Sequence, residues 1–193
     1  MYLFFDLETN GLPRKRFAPM EDVSNWPRII QIAWNIYDKN AKDVTEKGFI
    51  AFPEDFKISH ESSLIHGITD DIARGKGIQI SRILSEFNSD LNRVETIISH
   101  NIDFDLSTIN AEFTRNNIKT ILLEKPTFCT MKSQNIIKYC RIPNPYGFGY
   151  KWPTLSELHQ ILFDEGISKS HNAQVDVKAC ARCFFELKKR EII

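Results

Sequence analysis

No apolar run in this sequence approaches the length of a membrane span, so a spanning helix is not expected. Net charge is also lacking: 25 Lys and Arg balance 25 Asp and Glu. That excludes the global basic footprint of proteins that cover long duplexes, but not an enzyme that grips one strand end. Cysteines number only four, at 129, 140, 180 and 183. Cys180 and Cys183 lie close, but no second tight Cys/His pair accompanies them, so neither a zinc site nor a redox motif is expected. Their spacing within a helical pattern puts both on one packing face. Repeats, low-complexity tracts and interdomain linkers are missing too. The 193 residues therefore suit a single domain, 1–193, able to bury its own core. The opening Met1-Tyr2-Leu3-Phe4-Phe5-Asp6 lacks a basic stretch and meets an acid at once, so a cytoplasmic location is expected rather than secretion.

What is present begins with alternation. In residues 2–8, Leu3, Phe5 and Leu7 face one way, and Tyr2, Phe4, Asp6 and Glu8 face the other. This reads as a strand, ended by the turn signal Asn10-Gly11 with Pro13 beyond it. Residues 14–27 are polar and irregular and predict a long loop. Residues 28–37, rich in Ile, read as a second strand and 48–52 as a short third; nothing helical separates the three. A loop through Pro53 leads to Leu64-Ile65-His66-Gly67-Ile68-Thr69. Helical spacing follows at Ile80, Ile83, Leu84, Phe87 and Leu91. Residues 96–99 and 127–129 read as short strands. Residues 103–116, 131–139, the segment around Leu155, Leu158, Ile161 and Leu162, and about 173–189 read as helices. Residues 143–153 form a loop rich in Pro, Gly and aromatics. The order predicts an α/β fold with a mixed central sheet of about five strands flanked by helices.

Three acidic clusters stand out. Asp6 and Glu8, two apart on a strand, project from one face. Two acids at the end of a buried strand repel one another and resist desolvation. A hard divalent cation relieves both costs, and carboxylate oxygens suit Mg²⁺ or Mn²⁺; the alternative is a strand end hydrated by solvent. The second cluster, His100-Asn101-Ile102-Asp103-Phe104-Asp105, lies at a strand–helix junction, where α/β sheets place ligands. Asp103 suits the helix N-cap, and Asp105 suits a first turn where an acid complements the dipole. The third, His171-Asn172-Ala173-Gln174-Val175-Asp176, opens the last helix, with His171 on the loop and Asp176 inside. Each cluster has a purely structural explanation, but no such explanation covers all three.

Together these residues resemble the DEDD, or DnaQ-like, exonucleases of the DEDDh subtype, including the proofreading domain of the DNA polymerase III epsilon type. The motifs are Phe5-Asp6-Leu7-Glu8-Thr9-Asn10-Gly11-Leu12, His100 to Asp105, and His171 to Asp176. The segments Ile65-His66-Gly67-Ile68-Thr69 and Leu155-Ser156-Glu157-Leu158-His159 also match. The resemblance spans nearly the whole chain and selects Asp105 over Asp103. It implies a ribonuclease-H-like core and a two-metal mechanism. Asp6, Glu8, Asp105 and Asp176 are then expected to hold two Mg²⁺ ions, with Mn²⁺ as a substitute. Asp6 is shared, Glu8 and Asp176 complete the first site, and Asp105 supports the second. His171 is expected to be the general base, since imidazoles titrate near neutrality. Asp6, Glu8, Asp105, His171 and Asp176 are thus the expected catalytic set.

Leu12 and Phe104 are candidates to sandwich the terminal base, and Thr9 and Asn101 to contact its sugar; Phe104 equally suits the helix core. His66 and His159 lack a second ligand at useful spacing, so hydrogen-bonded structural roles are expected. Arg14, Lys15, Arg16 and Trp26 are candidates for a basic, stacking rim beside the first motif. Exposed rings in 144–150 suit stacking on nucleic acid or folding back over the core. Lys188-Lys189-Arg190 reads as a solvated surface. The expected partner is a nucleic-acid 3′ end, with a DNA polymerase as a further partner docking on the domain surface. The expected reaction releases nucleoside 5′-monophosphates from single-stranded or frayed DNA ends, as in proofreading or repair. An exoribonuclease, a non-catalytic binding module and a phosphoesterase for small nucleotides are the alternatives.

Overall fold

The computed structural model describes residues 1–15, 18–168 and 171–193. Its strands are β1 (Tyr2–Thr9), β2 (Ile29–Tyr37), β3 (Asp43–Ile50), β4 (Thr96–Ser99) and β5 (Thr127–Cys129). Its helices are α1 (His60–His66), α2 (Asp70–Lys76), α3 (Ile80–Leu91), α4 (Ile102–Arg115), α5 (Gln134–Cys140), α6 (Leu155–Phe163) and α7 (Ala173–Lys189). One sheet runs in the order β3-β2-β1-β4-β5. The first three strands pair antiparallel, and β4 and β5 add on parallel to β1. Parallel pairing requires crossovers, which the helical segments between β3 and β4 and between β4 and β5 supply.

The alternation in β1 has a plain consequence. Leu3, Phe5 and Leu7 enter a core with α3 and α4, built from Ile83, Leu84, Phe87, Ile109 and Phe113. Phe4 enters a second core against α7, with Ala173, Val177, Cys180 and Phe184. Helices therefore cover both faces, and β1 is the central strand, as a strand apolar on both sides must be. Cys180 and Cys183 are free, buried packing residues. No helix among the described residues is long and apolar enough to cross a membrane.

Several elements differ from the sequence reading. β3 starts at Asp43 rather than 48, because it is an edge strand whose polar residues face solvent and leave no apolar signature. Helices α1 and α2 were not anticipated. Each is short, and each is set by caps rather than by periodicity: the Ser59 and Thr69 hydroxyls accept from Ser62 N and Ile72 N, and Gly67 ends α1 at φ 75°. α5 begins at Gln134 rather than 131. Asp103 is not the N-cap of α4; that position belongs to Asn101, at φ 75°, while Asp103 lies in the first turn and pairs with Lys132.

The long loop after β1 is pinned by buried charge. Arg115 on α4 donates to Val23 O, Trp26 O and Pro27 O at 2.5, 2.6 and 3.3 Å. Glu112, one turn earlier and fully buried, accepts from Arg28 Nε at 2.8 Å and pairs with Arg115 at 3.1 Å. Trp26 is not an exposed rim platform. Its ring is 7% exposed and its Nε1 donates to Pro19 O at 3.1 Å, so it backs the loop and contributes to the wall of a groove rather than to its rim. Arg14 and Lys15 are exposed as expected, and Arg16 lies outside the described residues.

Candidate active site

The carboxyl ends of β1 and β4 lie side by side, and three acidic clusters meet there. Asp6, Glu8 and Asp176 each offer a carboxylate oxygen within 4.8 Å of the others. Asp6 and Glu8 come from the β1 face that looks toward α7, and Asp176 comes from the first turn of α7. That turn is fastened to the sheet: Ala173 N donates to Gln31 Oε1 at 3.1 Å, and Gln174 Nε2 to Asn35 Oδ1 at 2.9 Å, both acceptors on β2. Gly48 on β3 makes room, since a Cβ there would meet Gln174 Oε1 at 2.6 Å.

Asp105 is buried in the first turn of α4 and accepts from Ser99 Oγ, at the end of β4, at 2.7 Å. The sequence reading did not single out Ser99, although a polar residue closing an apolar strand just before an acidic motif was the available signal. His100 is half-buried, with Nδ1 2.9 Å from Thr130 Oγ1 and Nε2 3.1 Å from Pro153 O. Burial pushes its pKa down to about 4, so it is a neutral strut joining β4 to the loop ahead of α6.

The acids themselves are under electrostatic stress. Burial, then the charges of Asp105, Asp176 and Glu8, raises Asp6 well above the usual carboxylate range. Burial and Asp176 push Glu8 up to about 7. Burial pushes Asp105 up to about 8 against the hydrogen bond from Ser99. Asp176 is raised by burial while the His171 amide, donating to its Oδ2 at 2.9 Å, opposes the shift. Among the described residues, no Lys or Arg forms an ion pair with any of the four. Hard oxygen donors, mutual repulsion and no protein cation are the conditions under which a divalent metal fits.

His171 is exposed, at φ 65°, on the loop leading into α7. The bond from its amide to Asp176 ties the loop to the carboxylate cluster. A groove of about 780 Å³ is lined by Leu12, Trp26, Asn101, Phe104, Lys132 and Trp152 among others, several of them from the segments that carry Glu8 and Asp105. Leu12 is 84% exposed at its rim. Phe104 is half-buried in the groove wall and not part of the helix core. Thr9 Oγ1 donates to Gly11 O at 2.7 Å, so its hydroxyl shapes the turn and keeps its lone pairs free. His66 Nδ1 accepts from Ile68 N, and His159 lies between Glu165 O and Arg182, so both are held by local hydrogen bonds. Lys188 and Arg190 are also engaged, with the Tyr2 and Tyr139 hydroxyls, at the end of β1 away from the acids.

A mixed five-stranded sheet between helices, with acids gathered at the end of its central strand, defines a ribonuclease-H-like nuclease fold. The family model described as Exonuclease (RNase T) matches residues 3–184, and the chain belongs to that family, within the DnaQ-like DEDD superfamily. No curated protein sequence matches the chain. E. coli exonuclease I in complex with a dT13 oligonucleotide shares the fold, with a TM-score of 0.78 at 22% identity over 98% of this chain and 41% of that one. A structure of exonuclease I bearing on its processivity gives 0.77 at 22%, over 99% and 42%. The zinc-bound complex of E. coli exonuclease I with single-stranded DNA gives 0.73 at 24%, over 98% and 40%. The chain thus spans about two fifths of the length of these solved relatives.

Proposed function

We propose that this chain is a single-domain, metal-dependent 3′→5′ exonuclease of the DEDDh type that acts on single-stranded or frayed DNA ends and releases nucleoside 5′-monophosphates. The observation that carries the proposal is the meeting of Asp6, Glu8 and Asp176 within 4.8 Å, beside buried Asp105, with no cation of the protein's own among the described residues. The oligonucleotide complexes of exonuclease I support DNA as the substrate.

Asp6, Glu8 and Asp176 would hold one divalent cation and Asp105, with Asp6, a second, Mg²⁺ or Mn²⁺. Bound there, such ions polarise a phosphoryl oxygen and make water more acidic. His171 takes the proton of the attacking water, because its imidazole is the exposed base at the cluster's edge. The hydrogen bond that its backbone N–H donates to Asp176 Oδ2 holds its loop beside the carboxylates. Leu12 and Phe104, which both line the groove, hold the terminal base without reading it. Asn101 and Thr9 orient the sugar. In-line displacement of the 3′ oxygen of the preceding nucleotide then frees the monophosphate.

A time course on 5′-labelled single-stranded DNA, with matching RNA alongside, tests this in Mg²⁺ and in EDTA. A metal-dependent ladder shrinking from the 3′ end of DNA is the expected result. Faster shortening of RNA reassigns the substrate, and no shortening of either rejects the enzyme.

A further inference from the structure

The aromatic loop between α5 and α6 is built to stay exposed. Tyr146 is 96% exposed, Phe148 is wholly so, and Trp152 is 45% exposed. Solvating such rings is costly, and flexible loops usually fold them back. Here the backbone prevents it. Asn144 N donates to Gly149 O at 3.1 Å, Lys151 N to Ile142 O at 3.0 Å, and Tyr146 N to Asn144 Oδ1 at 3.1 Å. Pro143 and Tyr150 pair across the base as an antiparallel bridge, and Gly149 makes the turn at φ 85°. The result is a small hairpin that presents its rings outward.

The hairpin is continuous with the groove that Leu12 and Phe104 line. Trp152, at its base, lines that groove with Phe104, and Lys132 Nζ lies 5.2 Å from the Trp152 ring centroid. Pro153, the next residue, is bonded to His100 at the end of β4. Rings set beside a cation, leading away from the terminal-base site, match the needs of a single strand: stacking faces without a sequence code. A duplex hides its base faces and could not use them.

We infer that Trp152, Tyr146 and Phe148 form a stacking track for nucleotides behind the 3′-terminal one, selecting single-stranded substrate by length. The inference rests on the nuclease reading of the neighbouring groove. It separates from that reading because binding is measured apart from hydrolysis.

The test uses fluorescein-labelled dT15 in EDTA, followed by anisotropy and by tryptophan fluorescence, and hydrolysis of dT15 and of a dT trinucleotide in Mg²⁺. Trp34 is fully buried and Trp26 is 7% exposed in the groove wall, so loss of the quench in a Trp152 variant assigns the signal to Trp152. The wild-type chain should bind dT15 with quenching. Trp152→Phe should bind and lose the quench. A Tyr146→Ala/Phe148→Ala variant should lose roughly tenfold or more in dT15 affinity. Its KM for dT15 should rise in step, shrinking the advantage of dT15 over the trinucleotide, with a thermal melt like the wild type. Binding and quenching without cleavage would reject the nuclease reading and leave the track. Cleavage with dT15 affinity and KM unchanged in the double variant would overturn the track and assign the rings to a protein partner.

Discussion

The molecule buries acids in two ways. Glu112 sits between Arg28 and Arg115, and Asp90 accepts from Trp34 Nε1 at 2.9 Å while pairing with Lys47 and Arg93 at 3.0 and 2.9 Å. Burial raises Asp90, but bonds from Trp34, Lys47 and Arg93 outweigh it and leave its pKa below the ordinary value. At the carboxyl end of β1 the same residue types are packed together without Lys or Arg among the described residues, and all four are raised. The paired acids hold the fold: Glu112 and its arginines pin the loop that carries the groove rim. The unpaired acids cost stability, which is the signature of a site completed by something the chain does not supply.

The largest effect should come from Asp6, which every other acid of the cluster repels. Asp6→Asn should lower hydrolysis by roughly a thousandfold or more, because the carboxylates act as a unit. It should also raise the metal-free Tm, since one repelling charge is removed. A large loss of activity with a lowered Tm would place Asp6 among the structural acids instead. Glu112→Ala should do the reverse to the fold: it takes the shared buried acid from two half-buried arginines, which keep only Asp55 and the loop carbonyls, and should cost about 3 kcal/mol, read from chemical denaturation. A change within experimental error would erase the distinction between the two acid classes.

His171→Ala should reduce kcat by roughly a hundredfold while DNA affinity holds, because the imidazole is exposed and supports no packing. An equal fall in affinity would move it from base to substrate contact. The smallest effect concerns pH. Glu8 and Asp105 bind protons more tightly folded than unfolded, so their contribution to stability is fully present below the ordinary carboxylate range. It is lost as pH rises through about 7 and about 8, the values of Glu8 and Asp105. The metal-free Tm should therefore fall across that window, and the increment given by added Mg²⁺ should grow, since cations then face less competition from protons. A Mg²⁺ increment independent of pH would contradict this.

Much of this arrangement was legible in the sequence, for identifiable reasons. β1, β4 and α7 followed from alternation, a short apolar run and helical spacing, because those segments are largely buried and burial imposes the pattern. The acids of the cluster were found because two-residue spacing on a strand and positions at helix starts fix where side chains project. β3 was misplaced because an edge strand has no apolar face to read, and α1 and α2 were missed because capping defines them. The sequence reading also put Asp103 at the N-cap and Trp26 on the rim. The first failed because Asn101, in a left-handed conformation, starts the helix earlier, and the second because the Trp26 ring is held inward with its Nε1 on the Pro19 carbonyl. Ser99, Gln31 and Gln174 went unnoticed, since their roles depend on which strand lies beside which helix.

Direct titration of Mn²⁺ into the metal-free chain, read by loss of the free-ion electron paramagnetic resonance signal, bears most closely on the contrast between paired and unpaired acids. The account predicts two ions bound per chain, with binding that tightens as pH rises from about 6 to about 8 and fails in Asp6→Asn. Equal uptake by the wild type and Asp6→Asn, or none by the wild type at millimolar Mn²⁺, would show that the four carboxylates are not a cation site.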